Sequence, residues 1–229
     1  MFKKMTIQSI KLSTLAAAAV LAGQAQAGTL LVLPLQGTIS NSVQTFSKDA
    51  TNGFRALEIT VVGKGNGTAV ENTTDSFNFP VTKVVIGTKL NIASGSAVGS
   101  ALYISRIDYD TEGEPEVGVT LANFTINYET KQVLADTTAK GGTTTTQMPL
   151  YNFNTQTPLA LKYKFPLTIT GNELLNDLRL TDQAKAAMIS SLNLPVFAVP
   201  LLNNDFGTLT QNISTNLRKK AVSTTPYTP

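Results

Sequence analysis

Apolar and polar positions alternate most clearly within residues 101–135. Leu102 and Ile104 take turns with small or polar neighbours, and Val117, Val119 and Leu121 repeat the pattern. Successive side chains of a strand point to opposite faces, so each run offers one face to a core. After Leu121 the apolar phase slips by one, to Phe124, Ile126 and Tyr128. Such a slip predicts a β-bulge near Ala122 and Asn123. Glu129, Thr130 and Lys131 then read as a hairpin turn into a strand that faces Val133 and Ala135 inward.

Other segments extend this reading. Residues 29–35 open on Leu30, Leu31, Val32 and Leu33, the continuous run of a strand buried on both faces. Residues 41–54 are polar and poorly periodic, a loop or a short helix. Leu57, Ile59 and Val61 mark another strand, followed by a glycine-rich turn at 63–67. No helical pattern follows that turn, which removes a phosphate loop. Phe77 with Phe79, Val84 with Ile86, and Leu90 with Ile92 predict short strands. Residues 140–146 read as a low-complexity loop. Leu159, Leu161, Tyr163 and Phe165 alternate as a late strand, and Phe206, Leu209 and Ile213 as a closing one. In residues 181–192, Ala184, Ala187, Met188 and Leu192 fall at helical spacing behind Thr181, an N-cap residue type. The prediction is a mainly β protein, an antiparallel β-sandwich or barrel with one short C-terminal helix. An outer-membrane barrel would need repeated segments with a wholly apolar outer face, and these are absent from the pattern.

The N-terminus changes the charge picture. Lys3, Lys4 and Lys11, an alanine-rich apolar run at 12–23, and Ala25-Gln-Ala27 form a secretory signal with its cleavage site. The expected organisation is a signal peptide at 1–27, one β-rich domain at 28–220 and a disordered tail at 221–229. Location is then secreted or periplasmic, and the protein is not an integral membrane protein. The 18 basic and 15 acidic residues of the precursor lose three lysines and no acid on cleavage, leaving 15 of each. A balanced chain lacks the positive field that nucleic acid binding requires.

Candidate chemistry is sparse. Without His or Cys, no Ser-His-Asp or Cys-His device and no ordinary zinc site can form. No enzyme is expected. The acidic loop is the candidate metal site: Asp108, Asp110, Glu112, Glu114 and Glu116 occupy every second position. Asp108-x-Asp110-x-Glu112-Gly113 matches the first half of a calcium loop, with Val119 where a bidentate Glu belongs. Calcium is the one cofactor the sequence raises.

Leu178, Arg179, Leu180 and Thr181, the alanine-rich helix to Leu192, and Phe206-Gly-Thr-Leu-Thr210 together resemble the closing unit of the HtaA-type haem-uptake domain and of related secreted bacterial β-domains. The resemblance covers about the last third of the chain after residue 27. It implies an all-β secreted domain with one short helix. That family holds haem through a Tyr supported by a His, and this chain has no His. The leading expectation is an exported, non-catalytic β-protein with a structural, surface or adhesive role, its partners being copies of itself or cell-surface components. The alternative is a periplasmic or extracellular carrier of haem or another apolar ligand. An apolar cavity favours the carrier; a filled core with free edge strands favours assembly.

Overall fold

The computed structural model describes residues 29–88, 92–165 and 168–229. The export signal expected at 1–27, and Leu90, lie outside them. The chain runs β1 (Thr29–Pro34), β2 (Asn41–Thr45), α1 (Lys48–Ala56), β3 (Thr60–Gly65), β4 (Thr68–Ala69), β5 (Ser76–Pro80), β6 (Lys83–Gly87) and β7 (Ile92–Ile107). It continues through β8 (Glu116–Asn127), β9 (Gln132–Ala139), β10 (Thr144–Lys164), β11 (Thr168–Leu180), α2 (Asp182–Ser191), a 3-10 helix at Val196–Asn203, and β12 (Thr208–Ser214). The strands are antiparallel, as expected for a sandwich or barrel, and form one sheet. Its order is β1-β6-β7-β8-β9-β10-β11-β12-β2-β5-β4, with β3 also paired to β7.

The sheet curls until its margins meet. β3 lies on the second half of β7, β4 lies on β5, and a tight turn joins β3 to β4. The bend is made by bulges in adjacent strands. The β7–β8 register slips between Ala97 and Ala101, β8–β9 between Ala122 and Thr125, and β9–β10 between Thr145 and Met148. Asn123 sits at φ 52°, a conformation Asn tolerates better than most residues. Its side chain accepts from Gly99 N (3.0 Å) and donates to Asp136 Oδ2 (2.8 Å), tying three strands at the predicted bulge.

The concave face carries the core. Leu102, Ile104, Val119, Leu121, Val133 and Ala135 are buried there as predicted. One end is filled by the helices. Thr181 caps α2, accepting from Ala184 N at 3.2 Å, and Ala184 and Met188 are buried beneath it. α1 is a second helix, in the stretch that left a loop or a short helix open. Ser47 caps it, accepting from Ala50 N at 3.0 Å, and Ala50 is its one buried residue. Leu57, expected in a strand, ends this helix. Among the described residues no helix is long and apolar enough to cross a membrane.

Three further expectations are corrected. β1 is not buried on both faces: Leu31, Val32 and Leu33 are 44%, 49% and 38% exposed, because among the described residues β1 ends the sheet with only β6 beside it. Tyr163 and Phe165 alternate as predicted, yet both are exposed, because β10 there runs past its neighbour β9. Residues 221–229, expected as a disordered tail, contain no strand or helix but are tied to the body. Tyr227 N donates to Asn123 Oδ1 (2.8 Å), Tyr227 O accepts from Asn123 Nδ2 (3.0 Å), and Ser223 O accepts from Asn66 Nδ2 (2.8 Å). The strap lies where the sheet has no side chains. A Cβ on Gly65 would come within 2.9 Å of the Tyr227 ring, and one on Gly99 within 2.9 Å of Thr225 O.

Candidate functional site

The end of the curl away from the helices encloses an apolar cavity of about 40 Å³. One wall is a row across five strands: Val84, Gly95, Ile126, Val133 and Tyr151 are successive register partners. Inward alternation brings all five to the concave side, and all five line the cavity. Gly95 creates the space. A Cβ built there meets nothing within 4 Å.

The facing wall is polar. Glu173, Gln211, Ser42 and Phe79 are successive register partners across β11, β12, β2 and β5. The first three are buried, at 6%, 4% and 6% exposure. Gln211 Nε2 donates to Ser42 Oγ at 2.8 Å, and Gln44 Nε2 donates to Tyr151 OH at 3.3 Å. Tyr128 OH donates to Glu173 Oε2 at 2.5 Å. Among the described residues Glu173 has no other hydrogen-bond or ion-pair partner.

Buried polar groups cost free energy unless partnered, and a lone charge costs most. Burial accordingly pushes the Glu173 carboxyl above its usual range, although the Tyr128 bond opposes this. Burial, with the Glu173 charge, pushes the Tyr128 phenol up in turn. Tyr151 is pushed up to about 12 by burial, against the Gln44 bond. At neutral pH both phenols are therefore donors. Glu173 is a carboxyl whose charged form is disfavoured by burial on the wall of an apolar space.

The acidic loop is built differently. Asp108 is 1% exposed and accepts from Thr111 Oγ1 and Asn193 Nδ2, both at 2.6 Å, and from Asp110 N at 3.2 Å. These bonds, Thr111 first, hold its carboxyl below the usual range. Arg106 lies 3.8 Å from Asp108 Oδ1 and donates to Leu192 O and Asn193 O. Asp108 thus anchors the end of α2 to β7. Glu116 is taken by Tyr103 OH (2.5 Å) and Lys140 Nζ (3.2 Å), while Asp110, Glu112 and Glu114 are exposed. The five carboxylates diverge, and among the described residues no three such groups gather around a cation-sized space.

Sequence reasoning passed over the polar wall. Its signal was an inverted alternation in β2, where Ser42 and Gln44 point inward and Val43 outward. That pattern reads as a loop unless the strand is already known.

No protein-family model matches the chain, and no curated protein is similar to it. Among solved structures the chain is similar to the C-terminal domain of HtaA from Corynebacterium glutamicum, with 13% identity and a TM-score of 0.46, over 78% of this chain and 98% of that one. It is also similar to the haem binding protein HtaB from the same organism, with 12% identity and a TM-score of 0.44, over 80% and 96%.

Proposed function

We propose that the protein is a non-catalytic binding or carrier domain for a small apolar molecule bearing one hydrogen-bonding group. The observation that carries this reading is Glu173, a buried carboxyl with a single protein partner on the wall of an otherwise apolar cavity. A purely structural core would be more stable with a hydrocarbon side chain there. A ligand donor, such as an amide, hydroxyl or amine, supplies the second partner that the protein withholds. Small-molecule sites share this design of an apolar pocket with a few placed polar groups.

The cavity sets the class of ligand. At about 40 Å³ it is far below the ~300 Å³ or more of pockets that enclose drug-sized molecules. It takes the end of a narrow chain, and anything larger must part its walls. Haem, the first ligand named for a carrier, is too large for this cavity as it stands and finds no free ligand on its wall. The chain has no His, and Tyr128 OH is already engaged with Glu173. Location outside the cytoplasm belongs to the same proposal; it rests on residues 1–27 and predicts an N-terminus at Gly28 by sequencing of the processed protein.

Titration with a neutral naphthylamine dye tests the reading. Saturable fluorescence enhancement is expected for wild type and its loss for Gly95→Leu, whose Cβ meets nothing within 4 Å and whose branch extends into the cavity. Enhancement that is absent, or unchanged by the plug, overturns the proposal. A parallel absorbance titration with haem should show no specific saturation.

A second reading, self-assembly or surface attachment, is favoured by β1, whose exposed Leu31, Val32 and Leu33 lie on a free edge. Such edges template pairing with another strand. Sedimentation velocity would then show concentration-dependent association of the wild type that Val32→Lys abolishes.

A further inference from the structure

We infer that the outer end of the β10–β11 hairpin is a docking surface for an anionic lipid bilayer. β9 pairs with β10 only as far as Asn152, and β12 pairs with β11 only from Thr170 onward. β10 nevertheless continues to Lys164, paired there with β11 alone. On the β11 side Thr215 still reaches Ile169, its amide donating to Ile169 O (3.0 Å) and its hydroxyl accepting from Ile169 N (2.8 Å). Among the described residues it is the β10 edge past Asn152 that has no strand beside it.

Its chemistry is unusual for a solvated tip. Tyr163 and Ile169 are register partners and share one face, and Phe165 follows in the turn beyond β10. They are 64%, 39% and 84% exposed. Lys162 and Lys164 alternate with the aromatic residues, and residues 154–172 contain no acid. Aromatic side chains settle at the level of lipid headgroups. Lysines beside them lay their methylenes along apolar surface and keep the ammonium among the phosphates. Two cations with no opposing carboxylate complement an anionic leaflet.

Area argues against a protein partner. Three side chains offer a few hundred Å² at most, whereas each partner in a specific protein interface contributes roughly 500 Å² or more. Reversible attachment to a bilayer has no such threshold. The root of the same hairpin carries Leu159 and Glu173 of the cavity wall, so docking by the tip would bring the cavity to the membrane surface. The surface stands or falls separately from what the cavity holds.

The test is co-sedimentation of the protein, as its producing cell processes it, with phosphatidylcholine vesicles and with vesicles that also contain phosphatidylglycerol. Binding to the anionic vesicles is expected, weakening as salt rises. Lys162→Glu/Lys164→Glu and Tyr163→Ser/Phe165→Ser should each lower the partition coefficient about tenfold or more. Both pairs are exposed, so unchanged melting temperatures should accompany the loss. Gly95→Leu should bind vesicles like wild type, and this separates failure of the surface from failure of the cavity. Absence of binding, equal binding to both vesicle types, or a vesicle-free dimer that the Tyr163/Phe165 variant dissolves would each overturn the inference.

Discussion

At the scale of single residues, Glu173 and Asp108 are buried carboxyls with opposite physics. Asp108 accepts from Thr111, Asn193 and the Asp110 amide, so its charged form is favoured in the native state. Its contribution to stability is present above the unfolded pKa of about 3.9 and is lost as pH falls through the lower native value. Glu173 has one partner, and burial raises its pKa. Its native state is unpenalised below the unfolded pKa of about 4.3 and loses stability as pH rises toward the higher native value. Glu173→Gln keeps an acceptor for Tyr128 OH without a charge. Its melting temperature should therefore gain on wild type as pH is raised from about 4 to 7. A difference that stays flat with pH would mean that Glu173 is charged and satisfied.

At the scale of elements, α2 and the acidic loop form one assembly. α2 buries Ala184 and Met188 on the sheet, and Asp108 and Arg106 hold its C-terminal end through Asn193 and Leu192. Met188→Asp would bury a charge with no partner and should cost about 3 kcal/mol or more. The corresponding fall in melting temperature is roughly 10 °C. No change would mean that α2 is not packed on the sheet. The loop itself gives a second outcome. Asp108 is committed to Asn193 and Glu116 to Tyr103 and Lys140, so millimolar calcium should leave the melting temperature where a chelator leaves it. A site binding only the folded state would raise stability by about 2.7 kcal/mol at a hundredfold excess over Kd, which calorimetry would detect.

Across the whole molecule, the C-terminal strap closes the line of bulges. Asn123 holds Gly99 and Asp136 on its own sheet and grips Tyr227 through both its amide groups. Removing residues 222–229 leaves that side chain with fewer partners at a strained backbone position. The truncation and Asn123→Ala should each cost about 1–3 kcal/mol. Because they remove the same contacts, the combined variant should cost clearly less than the sum of the two. Strict additivity in chemical denaturation would show the strap to be independent of the bulge.

Residues 101–135 carried their strands, their bulge at Asn123 and their turn at 129–131 openly, because each depends on neighbours two to four positions away. The α2 stripe and the Thr181 cap were legible for the same reason. What distant strands decide was not legible. The apolar run 30–33 and the alternation at Tyr163 and Phe165 are ordinary strand patterns, yet one became a sheet edge and the other an exposed hairpin end. The polar wall depended on such long-range pairing most of all. The Gln211–Ser42 bond spans 169 residues, and neither residue signals a cavity until β12 and β2 are paired. Alternation gives a strand two distinct faces locally, but which face meets the core, and what stands opposite it, is set by register with strands far along the chain.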